Sequence, residues 1–145
     1  MRLYMLLLVV VLTPFLLHVF GFHLVLVLTD SMSPTIPPYS IVFTVPPSLL
    51  QPSNGSIVLY RLVLGNYSFY ILHRIVGVGD GFYVTKGDAR NYTDPWPVTP
   101  QDIVGVAVAW LPYGFYILAA AATTFIFLAS FYAIRRGLEW VLKRR

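Results

Sequence analysis

Cysteine is absent from this 145-residue chain. Disulfides, thiolate metal sites and cysteine nucleophiles are excluded with it. Charge is scarce as well: Asp, Glu, Lys and Arg together make up 11% of the residues, against 57% hydrophobic. A soluble domain carries about a quarter charged residues to keep its surface in water. A chain this short of charge must meet a second, apolar solvent. Histidine occurs three times and lysine twice, so few side chains are available for base or metal chemistry. The chain also lacks an internal repeat and any low-complexity stretch, and its length suits one folded unit plus membrane segments.

The hydrophobic excess lies in two blocks. Residues 3–28 contain only Thr13, His18 and His23 as clearly polar side chains. Residues 113–134 contain Thr123, Thr124 and Ser130 but no charge. About 20 apolar residues cross a bilayer core of roughly 30 Å, so both blocks are expected to span. Pro14 is tolerable in such a helix. The first block is longer than the apolar region of a cleaved signal peptide. It ends at Val27-Leu28-Thr29, with no small-x-small cleavage site, so a retained anchor is expected. Arg2 precedes the first block, and Arg135, Arg136, Lys143, Arg144 and Arg145 follow the second. The stretch between them holds four Lys/Arg and five Asp. The positive-inside rule then predicts cytoplasmic termini and an external loop. Topology and anionic lipid account for the basic tail, and nothing calls for nucleic acid.

The expected organisation is an anchor over 1–28, an external β-domain over 29–110, a second span over 111–134 and a basic cytoplasmic tail over 135–145. Within the external region, residues 40–45, 56–61, 67–78, 82–86 and 103–109 are rich in β-branched and aromatic residues and are separated by turn signals such as Asn54-Gly55 and Gly79-Asp80-Gly81. Helical periodicity is missing there. A mainly β fold follows: a small antiparallel β-domain between two transmembrane helices, with a bend expected near His73-Arg74. Val42, Phe43, Val45, Leu49, Leu50 and Trp110 are candidates either for the sheet core or for an apolar face in the membrane interface, where Trp is favoured. All three asparagines, Asn54, Asn66 and Asn91, stand in Asn-x-Ser/Thr triplets in this region, which agrees with an external location.

The chemistry available to the external region is narrow. It has one histidine, His73, and no close Asp/His cluster, so no metal site is expected. Gly77 to Gly81 is glycine-rich, but no helix pattern follows it, so a turn explains it better than a phosphate cradle. Nucleophilic catalysis by a serine needs a base to take the hydroxyl proton and a third group to orient that base. Ser31, His73, Asp88 and Asp94 supply those types, and neutral imidazole is a competent base near pH 7. Ser31 also follows Leu28 within about 10 Å of extended chain, at the expected membrane surface.

Three ordered segments sharpen this. Thr29-Asp30-Ser31-Met32-Ser33-Pro34-Thr35 resembles the S-x-S-M-x-P-T box of type I signal peptidases. His73-Arg74-Ile75-Val76-Gly77-Val78 and Thr85-Lys86-Gly87-Asp88-Ala89-Arg90 resemble the second and third boxes of that family, the third being K-G-D-N/A. The order and spacing agree across the external region, with an anchor before the first box. The resemblance implies a β-domain of the signal peptidase type, acting as a membrane-bound serine endopeptidase that removes signal peptides from secretory preproteins after a small residue. It implies Ser31 as nucleophile and an oxyanion hole from the Thr29 hydroxyl and the Ser31 N–H. His73 stands where bacterial members carry a lysine base. Archaeal and endoplasmic-reticulum members carry histidine there, with two acidic positions that match Asp88 and Asp94. Either could orient His73. Asp94 is favoured, because Asp88 follows a glycine in an expected tight turn.

The same resemblance implies an extended substrate strand, pockets for small side chains that Met32, Pro34 and Ile36 could line, and a place beside the protein-export channel. It implies no cofactor. The setting would be the cell membrane, or the endoplasmic-reticulum membrane in a eukaryote. Departures from the family pattern are Thr29 for serine, Asp30 beside the nucleophile where glycine is usual, and Arg90 where asparagine is common. Lys86, the only external lysine, would need deep burial to act as a base. Two other readings are a degenerate, non-catalytic membrane scaffold and a dedicated processor of one surface precursor.

Overall fold

The computed structural model describes residues 8, 12, 13 and 16–142. Most of the expected first span therefore lies outside the described residues. Residues 16–19 are helical, and the chain then leaves the helix well before Leu28. Gly21 adopts φ +82°, its N–H bonds to the His18 carbonyl at 3.0 Å, and the Phe22 N–H bonds to the Leu17 carbonyl at 3.0 Å. This is a Schellman ending with glycine in the left-handed position. It corrects the expectation of a single helix over 1–28: β1 (His23–Leu26) belongs to the sheet. An apolar run reads equally well as helix or buried strand, and only the Gly21 punctuation separates the two.

The rest of the sheet comprises β2 (Ile41–Val45), β3 (Ile57–Leu64), β4 (Tyr67–Val78), β5 (Tyr83–Lys86) and β6 (Ile103–Leu111), followed by helix α1 (Gly114–Leu142). All pairings are antiparallel, in the order β1-β2-β6-β3-β4-β5. A two-residue turn at Gly65-Asn66 joins β3 to β4, with Gly65 at φ +60°, a conformation that favours glycine. β4 runs straight through His73-Arg74, where a bend was expected. Its irregularity falls between Ile75 and Gly77, opposite β5. That bulge inserts one residue and re-aims the strand just past His73.

Over Ile57 to Tyr60 both faces of β3 are buried. Ile57 and Leu59 pack with Val27, Met32, Ile36, Val42 and Leu72 on one side. Val58 and Tyr60 pack with Ile75, Val98, Ile103 and Val106 on the other. A strand buried on both faces reads as an unbroken apolar run, as this one does. The loop after β1 is compact because Met32 and Ile36, both 0% exposed, anchor it in the first cluster. Met32 and Ile36 are thus core residues rather than a pocket wall, while Pro34 is exposed.

Val42 and Val45, candidates for a membrane face, belong to the core: Val42 is fully buried and Val45 packs against the second cluster. Phe43 points the other way and stacks on Phe22 at 5.9 Å between ring centroids. Leu49, Leu50 and Trp110 are exposed. Alternation along β2 separates Val42 and Thr44, which are buried, from Phe43, which is only partly so.

α1 starts against the sheet. The Phe115 N–H, one of the donors a helix cannot satisfy internally, bonds to the Tyr39 carbonyl at 3.1 Å. The rings of Tyr39 and Tyr116 meet edge-on at 5.2 Å. From Gly114 to Gly137 the helix is apolar, with mean hydropathy 2.0, and beyond the buried Gly114 its residues are exposed. Those 24 residues give roughly 36 Å of helix, enough to cross a bilayer core. The hydroxyls of Thr123 and Thr124 bond back to the Ala120 carbonyl at 2.9 and 2.8 Å, which hides them from an apolar solvent. A second helix of this kind is not found among the described residues.

Met32→Ala should remove a fully buried side chain from a packed cluster and cost about 2–5 kcal/mol of stability. Denaturant unfolding of the purified protein in detergent checks this. A change below about 0.5 kcal/mol would show that Met32 is not a core residue.

Candidate active site

The loop after β1 brings Ser31 against the turn that follows β5. The Ala89 N–H bonds to the Ser31 carbonyl at 2.9 Å, and the Arg90 N–H closes the turn onto the Gly87 carbonyl at 2.9 Å. Gly87 lies in the middle of the contact. A Cβ at this position would stand 2.6 Å from the Ser31 carbonyl oxygen and 3.1 Å from His73 Nε2. Residue 87 must therefore lack a side chain for the serine loop and the histidine ring to approach each other.

β4 carries His73 opposite Val58 of β3. The His73 Nδ1 lies 2.7 Å from Asp94 Oδ2, and both side chains are largely buried. Asp94 sits just beyond the β5 turn, and its own N–H bonds to the Thr85 carbonyl at 2.8 Å. The same Oδ2 accepts the Thr85 hydroxyl at 2.5 Å and the Tyr60 hydroxyl at 3.0 Å. Trp96 Nε1–H in turn donates to the Tyr60 oxygen at 3.1 Å. An ionised carboxylate only accepts, so Nδ1 carries the proton toward Asp94 and the Nε2 lone pair faces Gly87 and the serine loop.

Asp88 has a different partner. Arg74 binds it with two parallel hydrogen bonds, Nε to Oδ1 at 2.9 Å and Nη2 to Oδ2 at 2.7 Å. A third Arg74 nitrogen reaches the Gly55 carbonyl at 2.9 Å. The Arg74 hydrogen bonds hold the Asp88 carboxyl below its ordinary range against the opposing effect of burial, helped by a Thr35 hydrogen bond and by the charges of Arg74 and Lys86. The pair ties the third-box turn to β4, and the Asp88–Thr35 hydrogen bond ties the same turn to the residues after Ser31. Of the two acidic residues left open by the sequence, Asp94 reaches His73 and Asp88 braces the loops.

The Ser31 hydroxyl lies 3.3 Å from the Thr29 hydroxyl. Among the described residues the Ser31 N–H donates to no other group and Ser31 makes no hydrogen bond to His73. Unliganded catalytic pairs are commonly longer than in the reacting complex. Ser31, Thr29 and His73 line one groove of about 320 Å³, walled by residues 25–28 on one side and by Leu59 and residues 70–72 on the other. Met32, Pro34 and Ile36 do not line it. Next to Ser31 in the chain, Asp30 pairs with Arg90 at 3.2 Å, so two of the unusual residues of the boxes compensate each other. The pair is well exposed and contributes little to stability. Lys86 lies opposite Arg74 in the β4–β5 register and makes no hydrogen bond to Ser31 or His73. Groups of three or more metal-ligating side chains are absent among the described residues.

Tyr60, Thr85 and Trp96 were not singled out from the sequence. Tyr60 and Thr85 lie within apparent strands, where they read as ordinary core residues. A polar group at a core position of a strand is the signal that would have flagged them. No protein-family model matches the chain, and a search of the curated proteins finds no significant match.

The Asp88–Arg74 pair should give stability a specific pH dependence. A carboxylate depressed in the folded state contributes stability that is complete above its unfolded value, about 3.9, and is lost as pH falls through the folded value. The stability gap between wild type and Asp88→Asn should be full near about pH 6 and shrink steadily below about pH 4. Urea unfolding of both proteins across that range measures it. A gap that stays constant down to about pH 2 would contradict the depressed carboxyl.

Proposed function

We propose that this protein is a membrane-anchored serine endopeptidase that removes signal peptides from exported preproteins. The observation that carries the reading is the approach of Ser31 and His73 across Gly87, in one groove and with Asp94 bonded to the far nitrogen of His73, in a sheet that leads into an apolar helix. In the proposed reaction Ser31 Oγ attacks the scissile carbonyl carbon and its proton passes to His73 Nε2. Asp94 stabilises the imidazolium through Nδ1–H. The oxyanion takes the Ser31 N–H and the Thr29 hydroxyl. His73 then returns the proton to the leaving amine, and water hydrolyses the acyl-enzyme with His73 again as base.

The sheet edges support an extended substrate. β1 pairs only with β2, and residues 67–73 of β4 pair only with β3. Both edges, unpaired among the described residues, border the groove, so a peptide backbone laid in it would find donors and acceptors, as in strand addition. The cut falls after a small residue, at the external surface, with α1 and the N-terminal apolar block as spans and both termini in the cytoplasm. The scaffold reading gains nothing from the geometry, since a scaffold has no need of a buried histidine–aspartate pair beside a serine that lines the same groove as the histidine.

Cleavage of a model preprotein in detergent by purified wild type and Ser31→Ala tests the activity. Ser31→Ala should lose at least about 1,000-fold in turnover while remaining membrane-bound. His73→Ala should be comparably inactive, and Lys86→Met should retain more activity than His73→Ala. Turnover by Ser31→Ala close to wild type would remove the serine mechanism. A separate test concerns topology. Protease added to right-side-out vesicles should cut the domain over 29–110 and spare tags at both termini; digestion of the tags with protection of the domain would reverse the orientation and exclude a role in export.

A further inference from the structure

We propose that Tyr60 is a positioning residue for His73: its hydroxyl, held by Trp96, fixes the Asp94 carboxylate that orients the imidazole. The inference rests on the peptidase reading above and adds a residue outside the three boxes. Tyr60 is 1% exposed and packed among Val58, Ile75 and Val106, where phenylalanine would fill the same space. Its hydroxyl has a single proton, which goes to Asp94 Oδ2 at 3.0 Å, while its oxygen receives the Trp96 N–H at 3.1 Å. Thr85 donates to the same Oδ2, and so does His73 Nδ1–H. Three donors from β3, β4 and β5 thus converge on one carboxylate oxygen.

This convergence has two effects on the reaction. The carboxylate cannot rotate away from His73, because Tyr60 and Thr85 hold it from two other strands. Each neutral donor also takes part of the negative charge, so Asp94 stabilises the imidazolium without trapping it. Burial, countered by hydrogen bonds from Thr85 and Trp96, pushes the Tyr60 hydroxyl up to about 12, so it remains a proton donor through any working pH. The other charged groups on the elements packed around β4 are the exposed Arg61 of β3, Arg74 with Asp88, Lys86, and the pair of Asp30 and Arg90. The hydrogen bonds among these groups do not reach Asp94.

The test uses full-length protein in detergent micelles with ¹⁵N-labelled histidine, where only three histidines report. The activity probe is a synthetic peptide with an apolar stretch followed by alanine. Tyr60→Phe should lower kcat about 10-fold with KM within about two-fold. It should also move the acidic limb of kcat/KM, and the titration of the His73 ¹⁵N signals, upward by about half a pH unit, because Asp94 regains uncompensated charge. A merely structural role would lower the folded fraction without moving either titration. Unchanged titration and pH profile in folded Tyr60→Phe would overturn the proposal. Should Tyr60→Phe fail to fold by near-UV circular dichroism, Trp96→Phe weakens the same donor from one step further out. It should shift both readouts in the same direction by less, and no shift there would equally overturn the proposal. Should the wild type cleave no peptide, the peptidase reading fails, while the ¹⁵N titration still decides whether Tyr60 acts on His73 through Asp94.

Discussion

The site depends on one constraint, the need of a largely buried carboxylate for donors. Asp94 has left most of its water behind, and an ionised group in that position is costly unless hydrogen bonds replace it. Oδ2 finds the hydroxyls of Tyr60 and Thr85 and the ring of His73. These come from three neighbouring strands, so the antiparallel order β3-β4-β5 must form before Asp94 can be satisfied. The same satisfaction sets the imidazole tautomer and leaves Nε2 free on the side of Ser31. Folding and orientation of the His73 ring are therefore one event.

The serine is held by a different means. Its loop carries few regular hydrogen bonds, and apolar anchoring substitutes for them: Met32 next to Ser31, and Ile36 four residues on, are wholly buried. The Ala89–Ser31 backbone bond and the Asp88–Thr35 hydrogen bond close the loop from the other side, with Asp88 itself held by Arg74. A serine set on a loop is usually mobile. Here packing on one flank and charge-assisted hydrogen bonds on the other restrict it. The glycine at 87 is the consequence of bringing those two flanks within contact distance.

The apolar character of the chain is divided by the same geometry. Alternation along β2 sends Val42 and Thr44 into the core and Phe43 out, toward Phe22 and the groove that Leu118 of α1 helps to line. Outward apolar groups of this sheet thus border the helix long enough to cross a bilayer. That arrangement supports a site working close to a membrane surface.

The sequence by itself determined the element types in the middle of the chain, because strand periodicity and turn residues are local properties. The segments from β2 to β6, the apolar helix after residue 113 and the residues that could carry serine chemistry were all readable from pattern. The end of the first apolar block was misread, since Leu, Val and Phe fit a helix and a buried strand alike and only Gly21 marks the change. Tertiary structure alone decided which valines face inward and that Met32 and Ile36 are core. It also decided that Asp94 rather than Asp88 reaches His73, because Arg74, next to His73, takes Asp88 in a two-point grip. The roles of Tyr60, Thr85 and Trp96 were likewise invisible in one dimension. Hydrogen-bond partners 9 to 36 residues apart are set by strand register, and register is a property of the whole sheet.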